Sequence, residues 1–322
     1  MSDTPIQDPG LGEKYERLTQ RIINPDGSFN IYREGMGSAL KYLYEYFISV
    51  SWFQFILILL LGYVIMNSLF AMTYVLLGIN GISGTESLDT QNEFLIALFF
   101  SFQTFTTVGY GGLSPMSTSV NLVASFQAMM GFMSFSIATG LLYGRFSKPK
   151  ADIVYSNRIL LSPFKDGYAL MFRIINMRHH VLLDMEAKVL LATTREINGI
   201  YRRTYSRLDL AIDKIDFFPL NWTVVHPIDE ESPFHGKSPQ EIVKSNPEVL
   251  ILIKGFDETF SQVVHSRYSY THREMVINAK FHPAYTTYPD GSTHINVKDI
   301  HKYKKLDGKV GDISFEQVTK EG

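Results

Sequence analysis

The ten residues TTVGYGGLSP, Thr106 to Pro115, include two threonines, three glycines and a tyrosine and carry no formal charge. The chemistry open to such a stretch lies in its main chain. A potassium ion that sheds its water needs replacement oxygens, and the carbonyls of a TVGYG loop supply them when several loops face one axis. Thr107, Val108, Gly109 and Tyr110 are therefore candidate K+ ligands, with the Thr107 hydroxyl as the innermost oxygen. Gly109 and Gly111 suit the task because glycine reaches the positive φ values that let successive carbonyls point the same way. Gln103, Thr106 and Gly111 are the expected supports of the loop, and Tyr110 is expected to turn away from the axis and brace against Phe102 and Phe105. One chain supplies one loop, so a ring demands an oligomer, in practice four copies. A bare pentapeptide of this kind also suits an ordinary turn, so the weight falls on the elements that hold it.

Those elements are unusually apolar. Residues Phe94 to Gly144 contain no Asp, Glu, Lys or Arg, and Tyr42 to Gly144 contain no Lys or Arg. The run WFQFILILLLGYVIMNSLFAMTYVLLG, Trp52 to Gly78, exceeds the roughly 20 residues that span about 30 Å of hydrocarbon, so one membrane helix is expected over 51–78. It starts too far into the chain and is too long for a secretory signal. A second run predicts a membrane helix over 118–147, ending in RFSKPK at the water boundary. Between them, Thr90 followed by Glu93 reads as a capping box that starts a helix at about Gln91. Running over 91–106 it would be roughly 24 Å long, too short to cross, so it enters and turns back through the filter loop at 106–111. Irregular backbone at that depth survives only when buried in protein or lining a water-filled path. The short helix also aims its partially negative C-terminal end at the site, which favours a cation.

Charge sets the orientation. Lys14, Arg17, Arg21, Arg33 and Lys41 precede the first long helix and Arg145, Lys148 and Lys150 follow the second, whereas the connector carries only Glu86, Asp89 and Glu93. Both termini are thus expected in the cytoplasm of a multi-pass cell-membrane protein. The 322 residues, net charge of −2 and pI near 6.5 give no general pull toward nucleic acid. The absence of cysteine excludes disulfides, thiolate metal sites and cysteine nucleophiles.

From about Ala151 the chain reads as all-β. In VLLDMEAKVLL, Val181, Leu183, Met185, Ala187 and Val189 alternate with Asp184, Glu186 and Lys188, the period of a half-buried strand. Further strand candidates are YALMFRII, GIYRRTY, WTVVHPI, EVLILIKGF and FSQVVHSRYSY, with hairpin turns expected at Asp166-Gly167, Asn198-Gly199 and Asp290-Gly291. The pattern predicts an immunoglobulin-like antiparallel sandwich. His179 and His180 are adjacent, and His226 and His265 sit within strand candidates, where a structural role with pH sensing as the alternative is expected. No phosphate-binding loop, zinc pattern, organic-cofactor site or nucleophile motif is found, and an enzyme is not expected.

With these residues in view, the chain resembles the inward-rectifier potassium channels, most closely their prokaryotic members. The matching pieces are NPDGSFN at 24–30, NSLFA at 67–71, SFQTFTTVGYG at 101–111 and KPK at 148–150. In the last half they are WTVVHPIDEESPFHG at 222–236 and HSRYSYTHREMV at 265–276. The resemblance implies a homotetramer in which a two-helix pore is regulated by four cytoplasmic β-sandwiches. The expected organisation is a cytoplasmic segment 1–37, an interfacial helix 38–50, a pore domain 51–148 and a regulatory sandwich 149–322.

Gating is read from the second helix, where Gly131, Phe135, Thr139 and Tyr143 recur at four-residue spacing. Spacing alone leaves this stripe facing either the pore axis or else lipid or a neighbouring helix. The resemblance implies the former, with Phe135 and Tyr143 as an apolar gate and Gly131 as a flexible point. Lys41, Arg145, Lys148 and Lys150 are explained by positive-inside topology alone. The resemblance implies that they also hold an anionic lipid, such as a phosphoinositide. Two departures stand out. Gln103 falls where better-known members carry a glutamate paired with an arginine beyond the filter, here the uncharged GGLSP, and Phe135 falls where strongly rectifying members carry an acid. A cation-coupled transporter would need several pore repeats in one chain, and a membrane-anchored binding module would leave the charge-free span unexplained.

Overall fold

The structure, a computed structural model, describes residues 8–15, 21–32, 34, 42–147, 151–178, 181–197 and 199–306. Two units are present, one formed by 34–148 and the other by 1–33 together with 149–322.

Among the described residues the first unit contains four α-helices: α1 (Leu43–Ser49), α2 (Trp52–Leu77), α3 (Glu93–Phe105) and α4 (Thr118–Phe146). Ser51 and Gln54 form a reciprocal capping box at the start of α2, and Ser117 caps α4 through the Val120 amide. Both α2 and α4 are long and apolar enough to cross a membrane. The cap of α3 differs from the sequence expectation. Asn92, rather than Thr90, accepts the Phe94 and Leu95 amides through Oδ1 at 3.0 and 3.2 Å, so the helix begins at Glu93. The Thr90 hydroxyl instead accepts the Asn92 amide, a turn that places the cap. A small core of Ala71, Tyr74, Ile96, Phe100, Val120 and Ala124 joins α2, α3 and α4. The outer end of the loop after α3 is held by a two-residue ladder, Ile82–Ser83 against Ser114–Pro115.

The second unit consists mainly of two packed sheets. One runs in the order Lys14–Tyr15, Ile200–Leu208, Leu182–Ile197, Glu248–Asp257, Gln262–Thr271, with Lys214–Phe218 also paired to Leu182–Ile197. The other runs Asn221–Pro227, Gly167–Asn176, Ile159–Phe164, Met275–Ile277, the last pair parallel. Ile159, Phe172 and Ile174 from one sheet and Met185, Val189, Ile251 and Ile253 from the other share the core, the two-layer arrangement expected of a sandwich.

Three details correct the sequence reading. The alternation in 181–191 slips at Asp184, whose φ is +48°, so Leu182 rather than Leu183 shares the buried face with Met185, Ala187 and Val189. That residue is a bulge: the partner strand advances from Lys254 to Phe256 while this one passes from Glu186 to Leu183. The hairpin expected at Asp166-Gly167 turns one residue earlier, because Phe164 pairs with Gly167 and Lys165 takes the positive φ. Finally, the N-terminal segment is part of this unit. The Ile22 amide donates to the buried Glu248 carboxylate at 2.7 Å, Arg21 lies 3.3 Å from Glu274, and Lys14–Tyr15 extends the larger sheet. His179 and His180 lie outside the described residues.

Candidate functional site

The loop that follows α3 is tied to the helix that delivers it. The Thr107 amide donates to the Thr104 carbonyl, and the Val108 and Gly109 amides donate to the Gln103 carbonyl at 3.1 and 3.4 Å. The Thr106 hydroxyl folds back on the Phe102 carbonyl at 2.7 Å. Beyond this anchor the backbone alternates in hand: φ is +58° at Thr107, +55° at Gly109 and +82° at Gly111, while Val108 and Tyr110 stay in the ordinary region. Two of these positions are glycines, which adopt that region without steric cost. Thr107 is not, and a threonine there is strained. The sequence shows why glycine stands at 109 and 111 but not that Thr107 shares their conformation.

In a single chain residues 106–112 are exposed, with Val108 at 52 % and Tyr110 at 80 %. Tyr110 does not brace against Phe102 and Phe105 within the chain. Tyr63 of α2 already occupies those rings, stacked on Phe102 at 5.3 Å and edge-on to Phe105 at 5.7 Å. The main-chain carbonyl of Gln103 is thus used twice, yet its side-chain Oε1 is buried with no partner.

The opposite face of α3 is fully satisfied. Asn67 and Tyr74 of α2, Ser101 of α3 and Gln127 of α4 are each 0 % exposed. The Tyr74 hydroxyl donates to Gln127 Oε1 at 2.6 Å, and Gln127 Nε2 donates to Ser101 Oγ at 2.6 Å. Ser101 Oγ in turn donates to Asn67 Oδ1 at 2.8 Å, and Asn67 Nδ2 donates to the Tyr63 carbonyl at 2.9 Å. Sequence reasoning missed this group because its members are spread from 67 to 127. The available signal was two amides, Asn67 and Gln127, inside otherwise apolar helices, where polar side chains join helices or mark function.

On α4 the four expected gate positions divide. Gly131 is buried, and a Cβ there would lie 1.9 Å from the Phe105 carbonyl oxygen. Its missing side chain thus serves close packing on the end of α3, and α4 continues through it without interruption. Phe135 and Tyr143 are 72 % and 74 % exposed in the single chain, and the Thr139 hydroxyl bonds back to the Phe135 carbonyl. A cavity of about 710 Å³ opens beside the loop, lined by Tyr63, Met66, Phe105, Thr107, Gly131 and Phe135 among others.

Of the basic residues, Lys41, Lys148 and Lys150 lie outside the described residues. Arg145 donates to the Phe47 carbonyl and, at 2.7 Å, to the Val50 carbonyl at the end of α1. Its guanidinium also lies 4.7 Å from the Trp52 and Phe55 ring centroids. The arginine complements the negative end of α1 and fixes that helix to the last turn of α4.

Two apolar helices long enough to span a membrane, a short helix that delivers a glycine-rich loop of alternating hand, and a separate all-β unit define the class of two-helix ion channels with an additional β domain. Comparison with known proteins narrows this. A family described as ion channel matches residues 55–148, and one described as inward rectifier potassium channel C-terminal domain matches 153–321. The chain is 34 % identical over 295 residues to the inward rectifier potassium channel Kirbac3.1 of Paramagnetospirillum magnetotacticum, covering 90 % of this chain and 98 % of that one. It is 22 % identical over 311 residues to the G protein-activated inward rectifier potassium channel 2 of Rattus norvegicus and of Homo sapiens, covering 90 % of this chain and 73 % of theirs. The chain belongs to the inward rectifier potassium channel family, whose members are channels and not enzymes.

Proposed function

We propose that the protein is a homotetrameric, multi-pass membrane channel that conducts K+ passively, both termini lying in the cytoplasm. The permeant ion is stripped of water by the carbonyls of Thr107, Val108, Gly109 and Tyr110, with Gln103, Thr106 and Gly111 holding the loop. The observation that carries this reading is the alternating positive φ at Thr107, Gly109 and Gly111 in an uncharged loop left exposed by its own chain. Such a loop within a charge-free span needs either water or copies of itself around it. Four copies about an axis give it both.

In this reading Phe135 and Tyr143 form an apolar constriction that closes by dewetting, with Thr139 between them and Gly131 packed above. Anionic lipid, a phosphoinositide in the first instance, modulates opening through Lys41, Lys148 and Lys150, while Arg145 acts by holding α1. No acid occurs between Phe94 and Gly144, so polyamines find no charge to bind at Phe135, and steep rectification from that position is not expected. Liposomes containing the purified protein should take up rubidium-86 in a barium-blocked, sodium-insensitive manner. Absence of cation-selective uptake in every lipid composition would overturn the channel reading. Tyr143→Ala should raise the uptake, and neutralising Lys148 and Lys150 together should abolish any response to phosphoinositide.

A further inference from the structure

Asn67, Tyr74, Ser101 and Gln127 form a relay of hydrogen bonds that joins three helices behind the loop. Donation runs in one direction, from the Tyr74 hydroxyl through Gln127 and Ser101 to Asn67, and ends on the Tyr63 carbonyl. The second Gln127 Nε2 hydrogen reaches the Ser101 carbonyl at 3.1 Å, so the amide grips both main chain and side chain of α3. No member carries a formal charge, and all four are sealed from solvent. In such surroundings each bond is strengthened by the low local dielectric, and each lost partner leaves a polar group that nothing replaces.

The relay lies on the path to the site. Ser101 is two residues before Gln103, whose carbonyl holds the Val108 and Gly109 amides. One turn further along both helices, Gly131 of α4 meets the Phe105 carbonyl of α3. Contacts at 101/127 and 105/131 fix both the height and the rotation of α3 against α4. At the loop end of α3, among the described residues, Gln103 Oε1 is buried without a partner, and Tyr63 packs there through its ring alone. Among the described residues of its own chain, the loop is therefore held in register from the helix that delivers it and from the ladder at Ser114–Pro115.

We propose that Asn67, Tyr74, Ser101 and Gln127 are positioning residues for ion discrimination: by clamping α3 through neutral hydrogen bonds they set the spacing of the loop carbonyls. The inference rests on the filter reading given above. It departs from an ordinary packing role in one respect, since it expects discrimination between K+ and Na+, rather than flux or assembly alone, to depend on four side chains that never meet the ion.

The test uses the full-length protein in liposomes. Ser101→Ala and Gln127→Leu should still elute as tetramers, while the K+ to Na+ permeability ratio, read from sodium competition of rubidium-86 uptake, falls by about tenfold, the scale of one lost buried hydrogen bond. Barium block should weaken in parallel. Tyr74→Phe keeps the ring in its edge-on contact with Phe100 at 5.0 Å and removes only the hydroxyl, so it should lower the ratio by a smaller factor. Assembled Ser101→Ala and Gln127→Leu channels with an unchanged ratio would overturn the proposal. If those two variants fail to assemble, Tyr74→Phe decides: a lowered ratio supports the clamp and an unchanged ratio refutes it. Loss of discrimination in the unsubstituted protein would instead overturn the filter reading, and the clamp with it.

Discussion

The two units bury polar groups by different chemistry. In the helical unit the buried polar residues are Asn67, Ser101 and Gln127, all neutral, and they satisfy one another. The β unit buries Arg173, Arg203, Glu248 and Asp257. Arg173 spreads its charge over the Thr223 hydroxyl, the His282 carbonyl and the Phe281 ring. Asp257 faces Arg178 at 3.5 Å and accepts the Thr259 and Phe260 amides. The difference follows from the surroundings. A charge a few ångströms beneath a wetted surface keeps part of its hydration and can recruit dipoles, whereas one enclosed by apolar helices has neither and costs several kcal/mol. If the loop carbonyls hold an ion as proposed, the neutral packing behind α3 adds no charge that would compete with it.

The largest effect should come from placing the chemistry of one unit in the other. Gln127→Glu puts a carboxyl where no counter-charge is present; it must ionise without a partner or stay protonated and give up one of the two amide donations to Ser101. Several kcal/mol of stability should be lost at pH 8, and tetramer yield measured by size exclusion should collapse and recover in part at pH 5, where the neutral acid is favoured. A normal yield at pH 8 would remove the contrast between the units. Next in size, Gly131→Ala drives a methyl into the Phe105 carbonyl. A loss of about 1–3 kcal/mol is expected, seen as a lower unfolding temperature of the tetramer. Were Gly131 chiefly a hinge in a loosely packed helix, the same change would raise that temperature, since alanine is the better helix former.

How much of this could be read from the chain differs between the units for the same physical reason. Hydrophobic length and charge bias are properties of whole segments, so α2, α4 and the short α3 were legible, as were the positive φ values of Gly109 and Gly111 and the long strands. What the sequence did not reveal depends on single side chains choosing between neighbours. Asn92 and Thr90 both suit a helix cap, and only the turn geometry assigns Asn92. Asp184 in a run of alternating residues looks like any outward-facing acid until the bulge is seen. The positive φ of Thr107 has no signal in a residue that normally avoids it. The relay of Asn67, Tyr74, Ser101 and Gln127 is a tertiary fact, assembled from residues up to 60 apart. The docking of 8–15 and 21–32 within the β unit was likewise invisible, because Ile22 and Arg21 carry no pattern that names Glu248 and Glu274 as their respective partners.

A smaller effect should sharpen the comparison from the charge that anchors α1 to α4. Arg145→Lys keeps the charge in the helical unit but loses the fork that reaches both the Phe47 and Val50 carbonyls and the flat face that covers Trp52. A cost of about 1–2 kcal/mol is expected, together with a change in resting rubidium flux if the coupling of α1 to α4 controls the gate. Unchanged stability and flux would reduce this arginine to a topological charge.

The smallest effect is a pH dependence that only the β unit should contribute. His226 is 3 % exposed, with Nδ1 donating to the Asp209 carbonyl at 2.6 Å and Nε2 accepting from the Ser232 hydroxyl at 2.8 Å. Burial holds its pKa below the ordinary value of 6.5, outweighing the Asp209 carbonyl and the nearby Asp229 and Asp209 charges. The unfolded chain then binds more protons than the folded one as pH falls below 6.5, so stability is full above that value and is lost downward through the lowered pKa. Glu248 acts with the opposite sign. Its pKa is raised, chiefly by burial, so its contribution is greatest at low pH and declines as pH rises from about 4.5 through the raised value. Between pH 7.5 and 5.5 the unfolding temperature of the full-length protein should drop, and His226→Gln should flatten that drop while lowering stability at pH 7.5. An equal drop in the His226→Gln protein would move the titrating group elsewhere. With Glu248→Gln the drop should steepen toward the acid end, since the compensating carboxyl is gone, while the neutral relay of the helical unit leaves ion discrimination unchanged across the same range.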